Sequence, residues 1–328
     1  MDVYWLAGGG VERCATADLP ALLARPDGFV WVDIPACAEQ DVRELREAFG
    51  FHSLALRDCC ERNLVPKVHA YADHLFIILH APEPEASGHV HLLELDQFVG
   101  RRYLVTLHGP LDAGVPLDAA LRETRAVLAR VEAGRLRPKS PADLSYSIVA
   151  ALTRHMEAFL SSLRSRVATL EQRVMEGDLK NPELALEEMF RLRHELLTVR
   201  TMATESRELY ARVIAIAPRF VPAEDRPFME DLLDLFDRIR SMCDSEREFL
   251  QGVIDFYQTR TTTKMNIAME RLALLTALLL PVTAVASIYG MNIIVSEHTH
   301  LVHLAVVLIL LGIIMALMLQ WTRRQGWW

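Results

Sequence analysis

The chain has 328 residues, a formal charge of −8 and 51% hydrophobic residues, so it lacks the basic excess of a nucleic-acid surface and has ample apolar content for a core. Five cysteines, Cys14, Cys37, Cys59, Cys60 and Cys243, form an odd set without C-x-x-C spacing. That favours reduced thiols in a cytosolic domain over a disulfide frame or zinc site, with Cys59 and Cys60 as buried small residues.

The start, MDVYWLAGGG, has no basic region followed by a cleavable apolar core, so no signal peptide is expected. Residues 1–137 read as a cytosolic α/β domain within an α+β fold class. Phe29 to Ile34, Leu75 to Leu79 and Tyr103 to Leu107 are β-rich runs, and Glu39 to Phe49 and Leu117 to Ala133 are helical between them. Gly8-Gly9-Gly10 lacks phosphate-loop spacing and reads as a turn. His89 and His91, two apart in a strand-like run, lack a third ligand nearby and read as solvated edge histidines.

After Ser140-Pro141 the pattern is helical. Residues 138–223 read as a helical hairpin, Asp143 to about Glu176 and Glu183 to about Ile216, turned by Gly177-Asp178 and Asn181-Pro182 and closed by Pro218 and Pro222. Residues 224–292 then read as one stalk helix of about 65 residues and nearly 100 Å, unbroken until Pro281. Pro281 removes a backbone donor and predicts a kink, with threonines or neighbours satisfying the freed carbonyl.

The stalk runs into an uncharged span, about 272–290, of roughly 27 Å. A second uncharged span, 301–321, follows a loop of residues 293–300, and residues 322–328 form a tail ending in Trp327 and Trp328, which suit an interfacial anchor. Arg260, Lys264 and Arg271 precede the hairpin and Arg323 and Arg324 follow it, while the loop has no Lys or Arg. Both termini are therefore expected in the cytosol, and the loop outside, in a cell inner membrane. Thr276, Thr283 and Ser287 recur at seven and four, and backwards the rhythm meets Ala273, Met269, Asn266, Thr262, Thr259 and Asp255. Such a heptad seam of small and polar residues predicts either helix packing or a pore face; its run into Asn266 and Asp255 favours the pore.

Tyr289-Gly290-Met291-Asn292, after Leu280-Pro281-Val282-Thr283 and before one more span, resembles the signature of the CorA family of divalent-cation channels, with the ZntB-like zinc branch nearby. Asp255-Phe256-Tyr257 and Lys264-Met265-Asn266 through Met269 are similar to that family's stalk helix at the same spacing. His52 to Asp58 and Val65-Pro66-Lys67-Val68 resemble its cytosolic domain. The resemblance covers nearly the whole chain and implies a funnel-shaped homopentamer with Mg2+ as transported and regulatory ion and no organic cofactor. It implies a selectivity filter at Gly290, Met291 and Asn292, and a pore lined by Asp255, Thr262, Asn266, Met269, Leu272, Leu280 and Thr283. It also implies regulatory metal ligands near Glu85 and Asp231. Asp231, Asp234 and Asp237 read alternatively as a solvated helix face.

The loop departs from the family's Met-Pro-Glu. Ile293 to His300 retains Glu297 as an outer-mouth carboxylate and adds His298 and His300, which read first as solvated loop histidines and otherwise as better ligands for zinc, nickel or cobalt than for magnesium. A lysine-rich tail is also absent. The chain has no G-x-S-x-G, H-E-x-x-H or Walker sequence, so neither an enzyme nor an ATP-driven pump is expected. The expected function is magnesium or cobalt influx through a passive or proton-coupled path. A zinc transporter is the alternative, and a membrane-anchored sensor or scaffold is the alternative of another class.

Overall fold

The computed structural model describes residues 1–85, 88–112, 114–177, 182–216, 221–290 and 301–324. Two compact units emerge, Met1–Val253 and Ile254–Trp328, and the division falls inside one long helix.

The first unit is built on seven strands: β1 (Asp2–Ala7), β2 (Gly10–Cys14), β3 (Phe29–Ile34), β4 (Lys67–Ala70), β5 (His74–Pro84), β6 (Val90–Gly100) and β7 (Tyr103–His108). They form one sheet in the order β2-β1-β3-β7-β6-β5-β4. Only β3 and β7 pair parallel, Val32 opposite Val105; the other pairs are antiparallel. This mixed sheet bears out the α+β class. Gly8 and Gly9, both at positive φ, turn β1 into β2 as expected. Gly28 has a φ of +86°, and a Cβ there would lie 2.3 Å from the Leu6 carbonyl oxygen, so only glycine fits.

All six residues of β3 are buried because helices cover both faces of the sheet. Val30, Val32 and Ile34 join Phe76, Ile78, Phe98 and Val105 in a core closed by Leu22 of α1 (Leu19–Ala24), Leu45 of α2 (Glu39–Phe49) and Leu56 of α3 (Ser53–Cys60). The opposite face meets α6 (Pro141–Glu176), which contacts β3, β5, β6 and β7. The expected helix over 117–133 is two pieces, α4 (Leu117–Ala120) and α5 (Arg122–Glu132), because Leu121 between them has ψ of 2° rather than a helical value.

α6 begins where Ser140 Oγ accepts the Asp143 backbone N–H at 3.0 Å and ends at Gly177 in the left-handed region, φ +77°. α7 (Pro182–Ile216) follows, then a 3-10 turn at Ala223–Asp225, then α8 (Arg226–Gly290). Met229, Leu232, Phe236, Ile239, Cys243 and Leu250 of α8 are buried, a 3- and 4-residue rhythm that belongs to a packed helix. Ion pairs tie the bundle: Arg166 with buried Glu195, Arg164 with Glu246 at 2.6 Å, and Arg200 with Asp244 at 2.5 Å. The boundary read at 137/138 is thus a change of secondary structure inside one unit.

Two further readings change. His91 is no solvated edge residue: its Nδ1 lies 2.8 Å from Asp112 Oδ2, while its ring meets His89 edge to face. Cys59 is buried as expected, but Cys60 is exposed.

Candidate ion path

The second unit contains the C-terminal part of α8 and α9 (Leu301–Arg324). α8 has one helix long and apolar enough to cross a membrane; α9 has a shorter apolar stretch, Ala305–Trp321, among the described residues. Each has one less exposed stripe. On α8 it is Leu274, Leu278, Pro281, Val282 and Val285; on α9 it is Val307, Leu311, Ile314 and Met318. These 4-, 3- and 4-residue steps are those of helices covered along one side.

The seam lies on the other side of α8. At 100° per residue, Asn266, Met269, Ala273, Thr276, Leu280, Thr283 and Ser287 centre roughly 150° around the helix from the covered stripe. All of them are exposed, and so are Asp255 and Thr262. Met269, Leu272 and Leu280 show 55%, 65% and 62% of their surface, much as Leu275 and Leu279 do at 58% and 60%. Leu272 sits about 70° off the seam's centre, at its border. A seven-residue repeat on a straight helix drifts by roughly 20° per heptad, about 80° from Asp255 to Thr283. The whole seam faces one axis only where such helices supercoil left-handed around each other.

The seam's hydroxyls are oriented by their own helix. Thr283 Oγ1 donates to the Leu279 carbonyl at 2.8 Å, Thr276 to Leu272 at 2.9 Å and Thr259 to Asp255 at 2.9 Å. Each O–H is spent on the backbone, so the oxygen turns lone pairs outward as an acceptor. This removes the threonines as partners for the Ala277 carbonyl, the one freed by Pro281, because each has a single proton to give. α8 nevertheless runs through Pro281 as one helix.

Gly290 closes α8. Met291, Asn292 and the loop with Glu297, His298 and His300 lie outside the described residues, as do Pro218, Trp327 and Trp328.

The two regulatory candidates belong to the first unit and have different partners. Asp231 Oδ2 accepts the Tyr146 hydroxyl at 2.7 Å. Burial first, and then Asp231, pushes that phenol up to about 12, so the hydroxyl keeps its proton and remains a donor at neutral pH. A Glu85 carboxylate oxygen lies 3.7 Å from His91 Nε2. Asp237 is taken by Arg240 and Arg207, each 2.9 Å away. Among the described residues no three His, Cys, Asp or Glu side chains come together as a metal site within one chain.

A family model described as CorA-like Mg2+ transporter protein matches residues 26–324. A putative metal ion transporter of Bacillus subtilis, YfjQ, is 26% identical over 92% of this chain and 91% of its own. The cobalt/magnesium transport protein CorA of Thermotoga maritima is 25% identical over 95% and 88%. A zinc transport protein, ZntB of Pectobacterium atrosepticum, is 26% identical over only 45% of this chain and 44% of its own. The solved structure of the complete CorA magnesium transporter from Methanocaldococcus jannaschii shares the fold with a TM-score of 0.82, at 20% identity over 100% of this chain and 99% of that one.

Proposed function

The chain belongs to the family of CorA-like Mg2+ transporter proteins, and from that premise we propose that it conducts hydrated magnesium into the cell through a path lined by the α8 seam. The carrying observation is that a seam of small and polar residues, interrupted by Met269 and Leu280, runs along α8 on the side opposite the stripe covered within the unit. A scaffold's membrane anchor has no need of such a face. Magnesium gives up its six waters reluctantly, so a filter does better to bind the hydrated ion. Waters on a cation present hydrogens, and the seam answers with acceptors: Thr283 and Thr276 oxygens whose protons are already committed to the helix, and the Asn266 amide oxygen. Asn292, with Gly290 and Met291, would form the outer ring of amide and backbone oxygens, and Glu297 would raise the local cation concentration beside it. Met269 and Leu280, with Leu272 at the border, would form the apolar constrictions that close by dewetting.

The same reading makes the path the common axis of several copies, five by the family resemblance, in the inner membrane with both ends cytosolic. Intracellular magnesium shared between neighbouring copies near Glu85 and Asp231 would hold it closed. Zinc is the second reading; His298 and His300 and the partial similarity to a zinc transport protein favour it.

Flux into liposomes containing the purified full-length protein tests the proposal. Magnesium entry should exceed zinc entry, and Asn292→Ala should abolish magnesium entry, at least tenfold, while the assembly keeps its size on a gel-filtration column. Wild-type magnesium flux in an intact Asn292→Ala assembly would remove the amide ring. Zinc flux above magnesium flux would put the second reading first, and no flux of either ion would return the scaffold.

A further inference from the structure

The ion path leaves the cysteines unused, and the fold brings two of them together. Cys37 lies in the turn after β3 and Cys60 is the last residue of α3, yet their Sγ atoms are 3.2 Å apart. Bonded sulfurs sit at about 2.05 Å, so a little over 1 Å of side-chain motion between a turn and a helix end separates contact from bond. The two thiols differ in access: Cys60 is exposed and Cys37 is half-buried beside it. The remaining cysteines are placed differently. Cys59 is fully buried, facing the equally buried Asp96 on β6, Cys243 is inside the helical bundle, and the Cys14 thiol is 3.6 Å from its own strand's Glu12 carbonyl.

We propose that Cys37 and Cys60 form a thiol-oxidation site, a dithiol that a small disulfide of the glutathione class converts to an intramolecular disulfide. The chemistry balances in two exchanges. Deprotonated Cys60, the exposed member, attacks one sulfur of the oxidant and releases the first small thiolate, leaving a mixed disulfide on Cys60. Cys37 then loses its proton and attacks the Cys60 Sγ, releasing the second. The protein gives up two protons and two electrons, and the small disulfide becomes two thiols. Burial, then the hydrogen bond with Cys60, pushes the Cys37 thiol far above the usual cysteine range, so Cys60 opens the sequence and the second exchange rests on the 3.2 Å proximity of Cys37 to the mixed disulfide.

The bond would tether the end of α3 to the connection between β3 and α2. The residues just after α3 anchor a polar corner: Asn63 gives its backbone N–H to Glu94 at 2.8 Å and its side-chain amide at 2.7 Å, and Arg62 grips Asp112. Oxidation would therefore restrain the end of α3 against the connection that joins β3 to α2.

The test uses full-length protein in detergent with a chelator present, treated with oxidised glutathione, denatured, alkylated and digested. Wild-type protein should lose two of its five alkylatable thiols and yield one linked pair of peptides containing Cys37 and Cys60, and dithiothreitol should restore both thiols. Cys60→Ser, an exposed and near-isosteric change, and Cys37→Ser should each abolish the linked pair and leave Cys14, Cys59 and Cys243 alkylated. Five alkylated thiols after oxidation, a link through Cys59, or a covalent dimer on a non-reducing gel would each overturn the assignment.

Discussion

Asp96 shows how much the surroundings of one residue decide. In His-Leu-Leu-Glu-Leu-Asp-Gln-Phe the alternation of β6 would send Glu94 and Asp96 to solvent, as a half-buried strand usually does. The structure buries both, Asp96 completely, on the face covered by α3. Burial, then the Glu94 carboxylate two residues away, drives the Asp96 carboxyl well above the usual aspartate range. The folded chain therefore binds a proton that the unfolded chain has already released, and the sign follows: stability is highest below the ordinary aspartate range and declines as pH rises from there toward the raised folded value. Asp96→Asn keeps the shape and removes the ionisation, so it should flatten that decline and match or exceed wild-type stability at neutral pH. Intrinsic fluorescence during thermal unfolding, from roughly pH 5 to 8, checks it; an unchanged pH slope in the variant would assign the dependence to other groups.

The helices were the most legible elements because their signals are local. Ser140-Pro141 opens α6 and Gly177 ends it, within two residues of the expected start and at the expected end. What spacing does not show is that Ser140 works twice. Its oxygen accepts the Asp143 N–H, and its proton goes to Asp225 Oδ2 at 2.6 Å, in the turn that leads into α8. Ser140→Ala would uncap α6 and leave a mostly buried carboxylate without that donor, together costing about 1–3 kcal/mol. Thermal unfolding should shift down in Ser140→Ala and recover in Ser140→Thr. A Tm equal to wild type in the alanine variant would mean that water replaces both bonds. The split at Leu121 was not legible for the opposite reason: residues 117–133 have a helical pattern throughout, and the interruption is a backbone adjustment at a buried leucine.

At the scale of the whole molecule, the seam of α8 is exposed, and among the described residues of one chain no three carboxylate, His or Cys side chains come together as a metal site. If neighbouring copies share magnesium near Glu85 and Asp231, the ion stabilises the closed assembly by mass action, about 2.7 kcal/mol at a hundredfold excess over Kd. Losing it lets like charges separate the copies. Magnesium should then slow proteolysis and inhibit flux in the wild type, and do both less in Glu85→Ala/Asp231→Ala. Equal protection and equal inhibition would leave Asp231 as the acceptor for Tyr146 and Glu85 as a neighbour of His91, with the regulatory site elsewhere. By itself the sequence determined the helices, the two apolar spans, the seam and the family resemblance, because each rests on periodicity or a motif within a few turns of chain. Only the tertiary structure decided that the helical hairpin and the sheet are one unit, that Asp96 is buried, that His91 is paired and that Cys37 meets Cys60. Those facts join segments tens of residues apart, and distance along the chain leaves no local pattern from which a contact made by packing can be read.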